Sequence, residues 1–171
     1  MVKASMRLTQ AAPAAYPLSV PHIGAGDESI TAAAARLGKP LDRQHETLLR
    51  FANGWESAFL SGNLLSAEEL GQGLLWAEAE QSLDAFYDEG DSAGWPARDE
   101  LVPIHVSPYD TDVMALWMGG PVTENGHPVV YFSGEPIDLW PNVCEWWLAM
   151  LVLQEKTLEH VTKLGGQTTA P

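Results

Sequence analysis

The strongest constraint on the fold lies between residues 101 and 139. Four short apolar runs follow one another there, at 101–107, 112–118, 128–132 and 135–139. Parallel strands need a crossover of roughly a dozen residues or more. The gaps here are shorter and carry turn chemistry, with Gly119-Gly120 in one and Glu124-Asn125-Gly126-His127 in another. Short strands joined by short turns imply antiparallel hairpins. The first run is expected to alternate around Val102, Ile104 and Val106.

Helical patterns flank this block. Residues 27–37 are Ala-rich, with Asp27 and Glu28 in front and Arg36 behind, a polarity that suits the helix dipole. Gly38 and Pro40 then stop the helix. Asp42 can cap a second helix over 43–52, with Leu48, Leu49, Phe51 and Ala52 as its apolar stripe. Asn53-Gly54 ends it. Residues 55–65 read as one strand or a buried loop. Ser66 to Glu69 has a capping-box spacing. A third helix covers about 74–87, with Leu75, Ala79, Leu83 and Phe86 or Tyr87 inward. Residues 88–100 form an acidic loop. Asn142 caps a long last helix running to about Lys163, whose stripe includes Val143, Trp146, Trp147, Met150, Leu151, Leu158 and Val161.

The expected fold is therefore α+β: an antiparallel sheet of four to six strands, flanked by N-terminal helices and a long C-terminal helix. The expected organisation is a flexible Ala/Pro-rich arm at 1–22, one domain at 23–164 and a disordered tail at 165–171. Pro13, Pro17 and Pro21 interrupt any signal-peptide apolar region in the arm. A chain of 171 residues buries roughly 70% of its unfolded surface, so it needs no disulfide or metal to hold a core. No apolar run approaches the ~18 residues of a membrane helix. Cys144 is the single cysteine and has no intramolecular partner.

Catalytic and metal signatures are sparse. The five histidines fall in five different elements, and no HExxH motif occurs. His105 with Asp110 and Asp112 is the best acid/base grouping. No GxSxG elbow, phosphate loop or cofactor fingerprint is present. Cys144, near the start of the last helix, reads as a buried structural thiol. No cofactor is expected.

Charge is the informative anomaly. The chain carries 9 basic and 23 acidic residues, a formal net charge of −14. That balance argues against nucleic-acid backbones and anionic membranes, and for a basic partner. From Phe51 to Glu155 there is one Lys or Arg, Arg98, among eighteen acids. Glu80, Asp84 and Asp88 recur every four residues and line one helix face. Like charges at that spacing are destabilising by about 0.2–0.5 kcal/mol per pair, and a merely solvated face mixes in cations. The expected partner-binding residues are Asp84, Asp88, Glu89 and Asp91, with Trp95 as an aromatic anchor. Trp55 is a second loop tryptophan of the same kind.

Several segments, taken in order, resemble the SUKH superfamily, the Smi/Knr-like proteins. ARLGKPLDRQHETLLRFANGW at 35–55 resembles its opening helix–turn–helix. LLSAEEL at 64–70 resembles the segment that follows. LVPIHVSPYDTDVMALW at 101–117 resembles its central hairpin, and PVVYFSGEPIDLWPNVCEWWLAML at 128–151 its closing strands and helix. The resemblance implies a single α+β domain without catalytic residues. It also implies a binding protein: many bacterial members look like immunity proteins that neutralise toxin domains, often nucleases. The single cysteine fits a reducing compartment, and the expected location is cytoplasmic. Eukaryotic relatives act as interaction modules. Leu37-Gly38, Leu41-Asp42, Asn53-Gly54-Trp55 and Pro103 carry over as structural positions. The acidic 71–100 segment and the Ala/Pro arm depart from the family pattern. Two alternatives stand beside this reading: a small hydrolase or transferase using His105, Asp110 and Asp112, and a homodimer assembled through the Trp-rich last helix.

Overall fold

The computed structural model describes residues 1–59, 61–89 and 92–167. Among them are five α-helices and six strands in one antiparallel sheet. The helices are α1 (Val2–Ala11), α2 (Asp27–Leu37), α3 (Arg43–Phe51), α4 (Leu74–Glu89) and α5 (Val143–Gln167). The strands are β1 (Trp55–Phe59), β2 (Gly62–Leu64), β3 (Leu101–Val106), β4 (Val113–Trp117), β5 (Val129–Phe132) and β6 (Pro136–Trp140), and their order in the sheet is their order in the chain. The expected α+β class, with its long C-terminal helix, is what the chain adopts.

The sheet is covered on both faces, so β3 and most of β4 are buried throughout. On one face Val113, Ala115, Val130 and Phe132 pack with Leu83 and Phe86 of α4, joined by Ile30 of α2 and Leu49 of α3. On the other, Met114, Leu116 and Val129 pack with Trp146 and Met150 of α5. Each β4 residue thus faces the helix layer opposite to that of its neighbour, as a pleated strand requires.

Alternation in β3 differs from the expected one. Pro103 pairs with Ala115 and His105 with Met114, which leaves Ile104 as an extra residue in a bulge. Val102 and Ile104 therefore face α5, while Val106 faces α4. Proline has no N–H for the ladder, and a bulge is where a central strand tolerates it.

Four further differences concern single segments. In place of one strand or loop there are two strands, β1 and β2; Ser57 takes a positive φ where the β1 pairing is irregular, and Ser61 takes one just before β2. Phe51 is 70% exposed and is not part of the α3 stripe. The capping-box bonds from the Ser66 N–H and hydroxyl to Glu69 close a turn and do not open a longer helix. In 1–22, residues 2–11 are helical: Ala4, Ser5 and Leu8 are buried, and α1 packs on α5.

The segment after α1 covers the outer edge of β1. His22 N–H donates to Gly54 O at 3.0 Å, the Ser19 hydroxyl donates to Glu56 O, and Trp55 Nε1–H donates to Ser19 Oγ at 2.9 Å. Of the expected tail, 165–167 continue α5, and 168–171 lie outside the described residues.

Gly62 is among the glycines that packing requires. A Cβ on Gly62 would lie 2.2 Å from His105 Cε1 and 2.3 Å from Nε2. His105 is fully buried and stacks on Phe59 with ring centroids 4.7 Å apart. Gly62→Ala therefore overpacks a site with no room to yield, and is expected to destabilise by about 2 kcal/mol. That corresponds to a fall in melting temperature of roughly 4–8 °C for a chain of this size, measurable by calorimetry.

Candidate protein-binding surface

The acidic row lies on α4 as the four-residue spacing requires, but Arg98 changes its electrostatics. Arg98 sits on the short 3-10 turn Arg98–Glu100 that leads into β3. Its guanidinium contacts Glu80 Oε2 at 3.1 Å and Asp84 Oδ1 at 2.8 Å. The sole Lys or Arg of the long acidic stretch thus straps this turn onto α4 and relieves the first like-charge pair. Asp84 remains 63% exposed at its side chain despite that bond. Asp88 is exposed one turn further on, Glu89 ends α4, and Asp91 lies outside the described residues.

Trp95 does not stand free in a loop. Its ring meets Tyr87 edge-on at 5.2 Å and Phe132 at 6.1 Å, and it is half-buried. The Tyr87 hydroxyl donates to Pro96 O at 2.6 Å and pins the loop to α4. Glu100 is likewise structural, accepting from Trp117 Nε1–H at 2.9 Å. Trp55 is 1% exposed, so the anchor role considered for it is corrected: it belongs to the core on the α5 face.

Sequence reasoning missed the neighbour of Trp95, the β6 edge. Among the described residues β6 pairs only with β5. Ile137 and Leu139 are each 53% exposed, with Glu135 and Asp138 beside them. Trp95, Trp117 and Val130 line a groove with Ile137 and Leu139, so the loop that Tyr87 pins to α4 and the free strand edge share one groove. The available signal was the pairing of apolar with acidic residues in 135–139. Period alone does not reveal which strand ends a sheet.

The structure places Asp110 and Asp112 near His105 but buries the imidazole. His105 has no exposure, and its Nε2 lies 3.2 Å from Phe59 O. Burial lowers its pKa to about 4, against opposing effects of the Phe59 carbonyl, Asp112 and Asp110. Asp112 instead accepts from the Tyr131 hydroxyl at 2.6 Å, and burial together with that bond raises the tyrosine pKa. Asp110 is exposed.

Cys144, expected to be buried, is exposed. Its backbone N–H donates to Gln44 Oε1 at 2.8 Å at the N-terminal turn of α5, which leaves the thiol outside the packed stripe. No group of three or more His, Cys, Asp or Glu among the described residues is arranged to hold a metal ion. No helix among them is long and apolar enough to cross a membrane. No protein-family model matches the chain, and no curated protein matches it.

Proposed function

We propose that this chain is a non-catalytic, cytoplasmic protein-binding module of the SUKH-like immunity type, which neutralises a basic toxin domain, such as a nuclease, by covering it with an acidic face. One observation carries the reading. Arg98, the only Lys or Arg between Phe51 and Glu155, is already held by Glu80 and Asp84, so no other such cation in that stretch is left to balance its acids. A basic partner supplies the missing charge. Such complementarity speeds encounter and rejects acidic competitors. The six-stranded antiparallel sheet with flanking helices is the architecture that the family resemblance implies, and it supports the same reading.

The mechanism is stoichiometric occlusion. The acids steer the partner in, and Trp95 with the β6 edge gives it apolar area to bury. A nuclease surface covered in this way cannot reach phosphate. Replacing Asp84, Asp88, Glu89 and Asp91 by their amides is expected to slow association with the basic partner about tenfold at low salt and to flatten its salt dependence. Stopped-flow or surface-plasmon kinetics at several ionic strengths read both. Unchanged kinetics would remove this face from the account.

A further inference from the structure

The two edges of the sheet are treated differently. Residues 19–23 cover β1, whereas β6 has no cover of this kind among the described residues. An exposed apolar edge invites pairing with another chain, and proteins ordinarily blunt it. Here the edge is flanked by a groove on each face of the sheet. On the α4 side Trp95, Trp117 and Leu139 border a groove of about 510 Å³. On the α5 side Met114, Trp140 and Met150 border one of about 430 Å³. Both grooves include Ile137 and Asp138.

A strand laid along β6 sends successive side chains to opposite faces of the sheet. Its alternate residues therefore enter the two grooves in turn, while its backbone pairs with β6. The Leu139 N–H donates to Asp138 Oδ1 at 2.8 Å, a local contact that an incoming carbonyl replaces. That exchange frees the Asp138 carboxylate for a cation, and Glu135 offers a second carboxylate beside the strand. A second copy of this chain fits poorly, because it brings a formal charge of −14 against another of −14.

We propose that β6 is the docking edge for an extended segment of the partner, apolar at its centre and bearing Lys or Arg at its ends, which adds as a seventh strand. This rests on the reading of the chain as a binder of a basic protein.

The test adds a peptide with blocked termini, Lys-Lys-Val-Ile-Val-Lys-Lys, to the isotope-labelled full chain. Amide shifts and calorimetry are followed together. The expected result is sub-millimolar binding with the largest shifts in 136–140. Binding is expected to weaken at least tenfold when the three central residues are N-methylated, when Glu replaces the terminal Lys, or when the protein carries Leu139→Lys. Absence of shifts on β6, or equal binding of the N-methylated peptide, would overturn strand addition. If a basic protein still binds the chain in a salt-sensitive way, the acidic-face reading survives that failure. Equal binding of the Glu-ended peptide would count against the charge argument itself. Concentration-dependent dimers abolished by Leu139→Lys would assign the edge to a second copy and overturn the choice of partner.

Discussion

Between pH 6.5 and pH 4 the fold is expected to lose about 6 kcal/mol of stability, a large share of what a domain of this size possesses. The cause is two buried imidazoles. His45 is 2% exposed and His105 fully buried, and the Nδ1 atom of each has no hydrogen-bond partner in the structure. Burial lowers both pKa values from 6.5 to about 4, against the opposing charge of Asp42 in the case of His45. In the unfolded chain both rings take up a proton near pH 6.5. Between the two pKa values the unfolded state therefore binds more protons than the native one. Stability is complete above pH 6.5, falls as pH drops through the window, and levels off below about pH 4. Each ring contributes about 3 kcal/mol to that loss, at 1.36 kcal/mol per pKa unit. Urea titrations at pH 7.5, 6, 5 and 4.5 read it directly. A stability constant to about 1 kcal/mol over that range would mean that neither ring stays neutral in the native state.

Asp42→Ala is expected to have the next largest effect, a loss of about 4 kcal/mol. Asp42 is 2% exposed, and its carboxylate accepts four hydrogen bonds. Oδ1 takes the Gln44 and His45 N–H groups at 2.9 Å each, which caps α3. Oδ2 takes the His127 N–H at 2.7 Å and faces His127 Nδ1 at 2.9 Å. A carboxylate only accepts, so Nδ1 carries the proton. One side chain thus joins the start of α3 to the β4–β5 connection, 85 residues away. Gln44 strengthens the junction, donating to Glu124 O and accepting from the Cys144 N–H. Losing an N-cap costs about 1 kcal/mol, and each buried donor left without a partner costs about 1–3 kcal/mol more. Asp42→Asn keeps the cap but turns an amide N–H₂ toward two donors, and is expected to lose about half as much. Denaturant midpoints for the two variants test the order; a loss below about 1 kcal/mol for Asp42→Ala would show that water replaces the carboxylate freely.

These two effects also mark what could be read in the sequence. The capping role of Asp42 was legible because a cap acts within three residues. Its bond to His127 was not, since nothing local brings position 127 to position 42. The helices from Asp27 to Glu89 and the strands from β3 to β6 were legible because caps and turn residues bound them. Helix α1 was not, because only Ala4, Ser5 and Leu8 are buried and the packing that holds it comes from α5. The bulge at Ile104 was hidden because a bulge reverses the alternation from which strand faces are read. On the candidate surface, the row of Glu80, Asp84 and Asp88 followed from helix geometry alone. The pairing of Arg98 with that row, and the seat of Trp95 on Tyr87 and Phe132, are tertiary. The free edge at β6 became visible only with the order of the sheet.

Affinity capture on the full chain at low and high salt, with the retained protein identified by mass spectrometry, asks whether a basic protein is the partner. The expected result is one basic protein, held at low salt, released at high salt, and retained poorly by the variant lacking the charges at 84, 88, 89 and 91. Recovery of no specific protein, or of one whose retention ignores both salt and those four residues, would contradict it.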